Sequence, residues 1–150
     1  RLAIRRGPRF LRPLRSLLHQ MSQSAPAFQE VLIINYEETP VAEGQREELE
    51  KAGLRFRISA DLDNELPNLD VVYINAIAWV GDDYTELGTR YRLNAASPLK
   101  PGAAILHPLA RGSELARDLD TTEHNWYFAQ ARGAVFMRMA LLSTVLKSFA

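Results

Sequence analysis

Cysteine is absent from the 150 residues, which removes disulfides, thiolate nucleophiles and thiolate metal sites together. Histidine is scarce: His19, His107 and His124 make no ligand pair at helical or hairpin spacing, so no metal is expected. Long apolar runs are missing too. The longest, Ala76-Ile77-Ala78-Trp79-Val80, falls far short of the roughly 18 residues that a membrane span needs, and no membrane partner is expected. Glycines never gather into Gly-x-Gly-x-x-Gly or Gly-Lys-Ser/Thr, and Arg5-Arg6-Gly7-Pro8 after the first apolar stretch offers only one. A nucleotide needs close backbone approach to its phosphates, so no cofactor is expected. No Ser, His and acid set and no carboxylate pair stands at a spacing above chance. No residue is therefore nominated as catalytic.

Net charge is also missing. Lys plus Arg and Asp plus Glu both number 18, which leaves nothing to steer the whole molecule toward nucleic acid or an anionic surface. The distribution is uneven, however, because Arg1, Arg5, Arg6, Arg9, Arg12 and Arg15 precede the first acidic residue, Glu30. An Arg-rich, acid-free, Ser-containing start has the composition of a mitochondrial presequence. A nucleic-acid arm would interleave aromatic platforms with its charges, and Phe10 is the only aromatic there, so no nucleic-acid partner is expected. The reading preferred is a short strand and a helix whose arginines are solvated or meet an anionic small ligand. At 47% hydrophobic and 24% charged, the chain has the composition of an ordinary globular domain, and its length suits one core.

What the chain does contain alternates. Leu2-Ala3-Ile4 and the continuous Val31-Leu32-Ile33-Ile34 read as interior parallel strands, because strands buried on both faces lose polar alternation. Between them Leu11, Leu14, Leu17, Leu18 and Met21 recur at three and four, as one face of a helix does. Residues 41–52 read as a second, acidic helix with Gly53 as its left-handed cap, since glycine alone enters that conformation freely. Further strands are expected at 54–58, 71–74 and 103–106, a loop or short helix at 61–69, and helical material at 123–130 and again at 135–147. The pattern predicts an α/β fold: a single-domain, doubly wound, Rossmann-like parallel sheet of about five strands, with ligands beyond the carboxyl ends of the strands.

Two features stand out. After the fifth strand comes His107-Pro108-Leu109-Ala110-Arg111, a sharp exit where proline rigidity and backbone carbonyls present acceptors to a ligand. A lone histidine in such a turn more commonly satisfies backbone groups than acts as a general base, and no such role is assigned to it. The last helix carries Val135, Phe136, Met137, Met139, Leu141, Leu142, Val145 and Leu146 around its circumference. A helix on the face of a sheet needs only one apolar stripe, so a protein partner or a second copy of the chain is expected on the other side.

The run His107-Pro108-Leu109-Ala110-Arg111, followed by Glu114, Asp118, Asp120, Thr122, His124, Trp126-Tyr127-Phe128, Gln130 and Arg138-Met139-Ala140-Leu141-Leu142, resembles the aspartate carbamoyltransferase family. That family's pattern is His-Pro-Leu-Pro-Arg, an acidic stretch, Tyr-Phe-x-Gln and Arg-x-Ala-Leu-Leu. Asp70-Val71-Val72-Tyr73 is similar to the strand before its aspartate-binding loop, and Arg12-Pro13-Leu14-Arg15-Ser16-Leu17 to its Arg-Thr-Val-His-Ser-Leu helix start. The likeness covers only the second, amino-acid-binding domain, so residues 1–150 are expected to form that domain without the carbamoyl-phosphate domain. It implies that Arg12 holds the amino acid's α-carboxylate and that the carbonyls of Pro108 and Leu109 face the carbamoyl group and the attacking amine. It also implies that the last helix packs onto the first domain.

The departures matter as much. The Arg-x-Gln that grips the second carboxylate of aspartate falls on Ala76-Ile77-Ala78, and the carbamoyl-phosphate motif Ser-Thr-Arg-Thr does not occur. Losing an arginine that binds a carboxylate removes a contact of about 1.5–3 kcal/mol. The expectation is therefore a divergent, cytoplasmic binding or assembly module, a pseudoenzyme not competent alone, that takes an amino acid or small anion. The alternative is part of an active carbamoyltransferase whose first domain lies upstream or on another chain. A hydrophobic or uncharged acceptor side chain suits Ala76, Ala78 and Trp79 better than aspartate does.

Overall fold

The computed structural model describes residues 2–5, 12–35, 41–75 and 90–147. Its elements run β1 (Leu2–Arg5), α1 (Arg12–Ser22), β2 (Val31–Ile34), α2 (Glu43–Lys51), β3 (Phe56–Ser59), α3 (Leu62–Glu65), β4 (Val71–Ile74), β5 (Ala104–Leu106) and α4 (Tyr127–Lys147). The five strands form one sheet in the order β3-β2-β1-β4-β5, and every pairing is parallel. The chain builds outward from β1 to one edge and then crosses over to build the other. That is the doubly wound arrangement expected.

Alternation along the strands divides the core between the two faces of the sheet. Val31 and Ile33 pack with Leu14, Leu18 and Met21 of α1 and Leu49 of α2. Leu32, Ile34, Val72 and Ile74 pack on the other side with Leu62, Leu66, Tyr91, Leu119 and Tyr127. All four residues of β2 are fully buried, and each such side chain contributes roughly 1.5–3 kcal/mol. The α1 stripe falls where the spacing placed it, apart from Leu11, which lies outside the described residues. Gln45 of α2 donates through Nε2 to the Arg15 carbonyl at 2.9 Å, tying the two helices together.

Gly53 caps α2 at φ 73. Its N–H donates to Glu50 O at 2.9 Å and the N–H of Leu54 to Leu49 O at 3.0 Å, the pair of bonds that closes a helix around a left-handed residue. This cap consumes Leu54, so β3 begins at Phe56 rather than at the expected position 54.

The C-terminal helix also differs from expectation. It is one helix, Tyr127–Lys147, with Gly133 inside it, because a single helical glycine costs only about 1 kcal/mol. Residues 124–126 run alongside β5 instead: Ile105 donates to His124 O at 2.9 Å, and Trp126 donates to Ile105 O at 3.2 Å. A chain committed to that ladder is not helical, so α4 starts four residues after the expected position 123. Beyond its first turns α4 leaves the domain. Met137 is 73% exposed and Leu146 67%. Among the described residues no helix is long and apolar enough to cross a membrane, and no group of three or more His, Asp or Glu is placed to hold a metal ion.

Candidate functional site

In a parallel sheet all strands end on the same edge, and here that edge carries Asn35 after β2, Asn75 after β4 and His107 after β5. The chain also leaves β1 there and re-enters described structure at Arg12, the first residue of α1. The edge therefore brings together the start of α1 and the segment His107-Pro108-Leu109.

That segment is held from beneath by buried polar groups. His107 is 0% exposed and Glu114 1%. The Leu109 N–H donates to His107 Nδ1 at 2.9 Å, which leaves Nε2 as the protonated nitrogen, and Nε2 donates to Glu114 Oε1 at 3.0 Å. Gly112 N–H reaches the same carboxylate oxygen at 2.8 Å, and His107 N–H donates to Gln130 Oε1 of α4 at 2.8 Å. Burial alone would raise the Glu114 pKa. The bonds from His107 and the Gly112 N–H outweigh it and hold the carboxyl at about 2, so Glu114 is ionised at neutral pH.

Leu109 is folded back at φ 52, a conformation that costs a non-glycine residue energy and is kept only where neighbouring bonds enforce it. Pro108 is exposed and Leu109 half-buried. Among the described residues no donor bonds to either carbonyl oxygen. Two uncommitted acceptors side by side on a fixed turn suit an ammonium or amine and offer no acid or base.

Arg111, two residues after Leu109, is spoken for. Its guanidinium forks onto Asp120, with Nη2 to Oδ2 at 2.7 Å and Nη1 to Oδ1, while the Tyr127 hydroxyl donates to Asp120 Oδ1 at 2.5 Å. The same guanidinium lies 5.8 Å from the centres of the Tyr127 and Phe128 rings. Arg111 beside it, and then the Tyr127 hydroxyl, hold Asp120 at about 2. This cluster fastens the turn to α4.

Of the residues expected to bind substrate, Pro108 and Leu109 stand together on the C-terminal edge of the sheet, and Arg12 opens the helix that begins on that edge. Ala76, Ala78 and Trp79 lie outside the described residues, as do Arg6 and Arg9. Glu114, Asn35 and Asn75 were not anticipated as part of this edge. For the two asparagines the signal was a polar residue placed directly after a buried apolar run.

A model of the aspartate/ornithine carbamoyltransferase Asp/Orn-binding domain matches residues 14–145. The chain belongs to this family. The catalytic subunit of aspartate carbamoyltransferase from Vibrio cholerae is 34% identical over 105 residues, which cover 67% of this chain and 34% of the relative. That from Chromobacterium violaceum is 37% identical over 105 residues, or 67% and 35%. Aspartate transcarbamoylase from Trypanosoma cruzi, solved with carbamoyl aspartate and phosphate, superposes with a TM-score of 0.79 at 23% identity, over 94% of this chain and 47% of that one. The catalytic subunit from M. jannaschii gives 0.79 at 22%, over 98% and 49%. This carbamoyltransferase domain thus spans about a third of the length of the sequence relatives it matches and about half of the structures.

Proposed function

We propose that the chain is an amino-acid-binding module of carbamoyltransferase type, residues 1–150 corresponding to that domain, that does not catalyse transfer by itself. Arg12 holds the α-carboxylate, the Pro108 and Leu109 carbonyls accept from the amine, and α4 docks on a partner protein or a second copy, in the cytoplasm. The observation that carries this reading is the turn at Pro108 and Leu109. Its two carbonyls have no donor among the described residues, yet the buried His107 and Glu114 pair beneath fixes their position. The alanines at 76 and 78, where the family's pattern has Arg-x-Gln, support a module that has kept this turn and shed the grip on an aspartate side chain.

Calorimetric titration with aspartate, ornithine and neutral amino acids, with and without carbamoyl phosphate, tests it. The expected result is a saturable heat with at least one amino acid that disappears in Arg12→Ala. Silence across the panel from folded protein would sink the amino-acid reading. Turnover on adding carbamoyl phosphate would overturn the non-catalytic one in favour of a part of an active transferase.

A further inference from the structure

Two carboxamides on the C-terminal edge are buried without partners. Asn35 and Asn75 are 1% and 3% exposed, yet Asn35 Nδ2, Asn35 Oδ1 and Asn75 Nδ2 make no hydrogen bond. Buried amides are almost always paired, so three orphaned atoms on one edge of the sheet call for something to complete them.

Their placement follows from the register. Ile34 of β2 and Ile74 of β4 both stand opposite Arg5 of β1, so Asn35 and Asn75 are level with each other on either side of the end of β1, about 10 Å apart across two strand spacings. Two residues earlier on each strand, Ile33 and Tyr73 pack toward Leu14 and Leu18 of α1. By alternation both asparagines point to that same side, the side on which α1 begins with Arg12. The sheet changes its direction of winding between β1 and β4, where doubly wound folds bind their ligands.

We propose that Asn35 and Asn75 form the subsite for the side chain of the bound amino acid, and that this subsite takes a neutral amide or urea group. The inference rests on the amino-acid-binding reading above and narrows its substrate class. The unpaired atoms include donors from both residues and an acceptor from Asn35. Turning either amide over still leaves at least one donor and one acceptor unpaired, because both ends of Asn35 are. A carboxylate would use the donors but face the Asn35 oxygen with negative charge, and an ammonium would leave the donors empty. A primary amide or a urea supplies an acceptor and donors together.

The test is titration of the chain with glutamine, glutamate, leucine, asparagine and aspartate, followed by calorimetry and by the side-chain amide NMR signals of Asn35 and Asn75. The expected result is binding of the two amides at least about tenfold tighter than of their acids or of leucine, with both amide signals shifting. Asn75→Ala should abolish the preference while keeping Arg12-dependent binding; Asn75→Ser and Asn35→Ala serve the same purpose if that variant does not fold. Equal affinity for glutamine and leucine, or a preference that survives in folded variants, would overturn the subsite and leave the amino-acid reading standing. Should no amino acid bind at all, the amino-acid reading fails instead. In that case shifts of the two amide signals with acetamide alone would retain the pair as an amide site, and unmoved signals would overturn it as well.

Discussion

His107 Nε2 donates to Glu114 Oε1 across 3.0 Å, with both side chains sealed from solvent. They stand seven positions apart, and the loop they close is the one that presents Pro108 and Leu109. Because the other ring nitrogen accepts from Leu109 N–H at 2.9 Å, the imidazole joins an ionised carboxylate to the backbone of the turn. Removing either end would leave a buried group unpaired, which costs more than the bond itself contributes.

Acid should therefore loosen this turn. The Glu114 carboxyl sits at about 2 in the folded chain against an ordinary 4.5. A depressed pKa contributes stability that is fully present above 4.5 and is lost as the pH falls toward about 2. Urea unfolding of the parent and of Glu114→Gln across that range should show a steeper acid loss in the parent. Asp70 and Asp120 are depressed as well, so the difference between the two proteins is the readout. Identical pH slopes would mean that the carboxylate charge does not hold the turn.

Alkali should act on the neighbouring cluster. Burial, and then the hydrogen bond to Asp120, push the Tyr127 phenol up to about 12. The folded chain holds this proton more tightly than the unfolded one does, so the contribution is complete below pH 10 and is lost as the pH rises through about 12. Tyr127→Phe keeps the buried ring and removes the hydroxyl. It should cost about 1 kcal/mol at neutral pH and flatten the alkaline limb of the stability curve measured by denaturant unfolding. An unchanged limb would show that another group sets it.

The fold was legible where local chemistry and tertiary structure agree. Val31–Ile34 reads as a central strand because all four side chains are buried, and Gly53 reads as a cap because only a glycine tolerates φ 73 there without cost. Sequence patterning failed where hydrogen bonds outside the strand or helix repeat override it, one local and one tertiary. Position 54 belongs to the cap rather than to β3, and residues 124–126 are held by β5, neither of which leaves a periodic trace. Within the candidate site, the sharp exit of the chain after β5 at Pro108 was legible from its residues. The part of Glu114 was not, because a partner across a closed loop has no fixed spacing, and the two asparagines come together only through strand order.

The two glycines of the α2 region should respond in opposite directions to alanine. At Gly53 an added Cβ meets nothing within 4 Å, but φ is 73, so Gly53→Ala should destabilise by about 1 kcal/mol through backbone strain alone. At Gly44, near the start of α2, space is equally open and φ is not positive. Gly44→Ala should stabilise by about 0.5 kcal/mol, as expected for replacing glycine near a helix end. Thermal unfolding of the two variants distinguishes the causes, since a contact-based effect would be nearly zero at both sites.

Helix α4 presents large apolar groups to solvent on every side beyond its first turns, among them Met137 at 73% and Leu141 at 64% exposed. These two lie one turn apart and so share a face. Its charged residues, Arg132, Arg138 and Lys147, are all basic, so a covering surface must be apolar with neutral or acidic groups at its rim. Because the two side chains touch solvent in the single chain, Met137→Gln with Leu141→Gln should leave unfolding within about 0.5 kcal/mol of the parent. Sedimentation velocity over a concentration series should show the parent associating and the double variant remaining monomeric. Association that persists in the variant would place the contact elsewhere. A parent chain that stays monomeric throughout would exclude a second copy as the cover and direct the search to a different protein surface, because an apolar area of this kind is sustained by something that removes it from water.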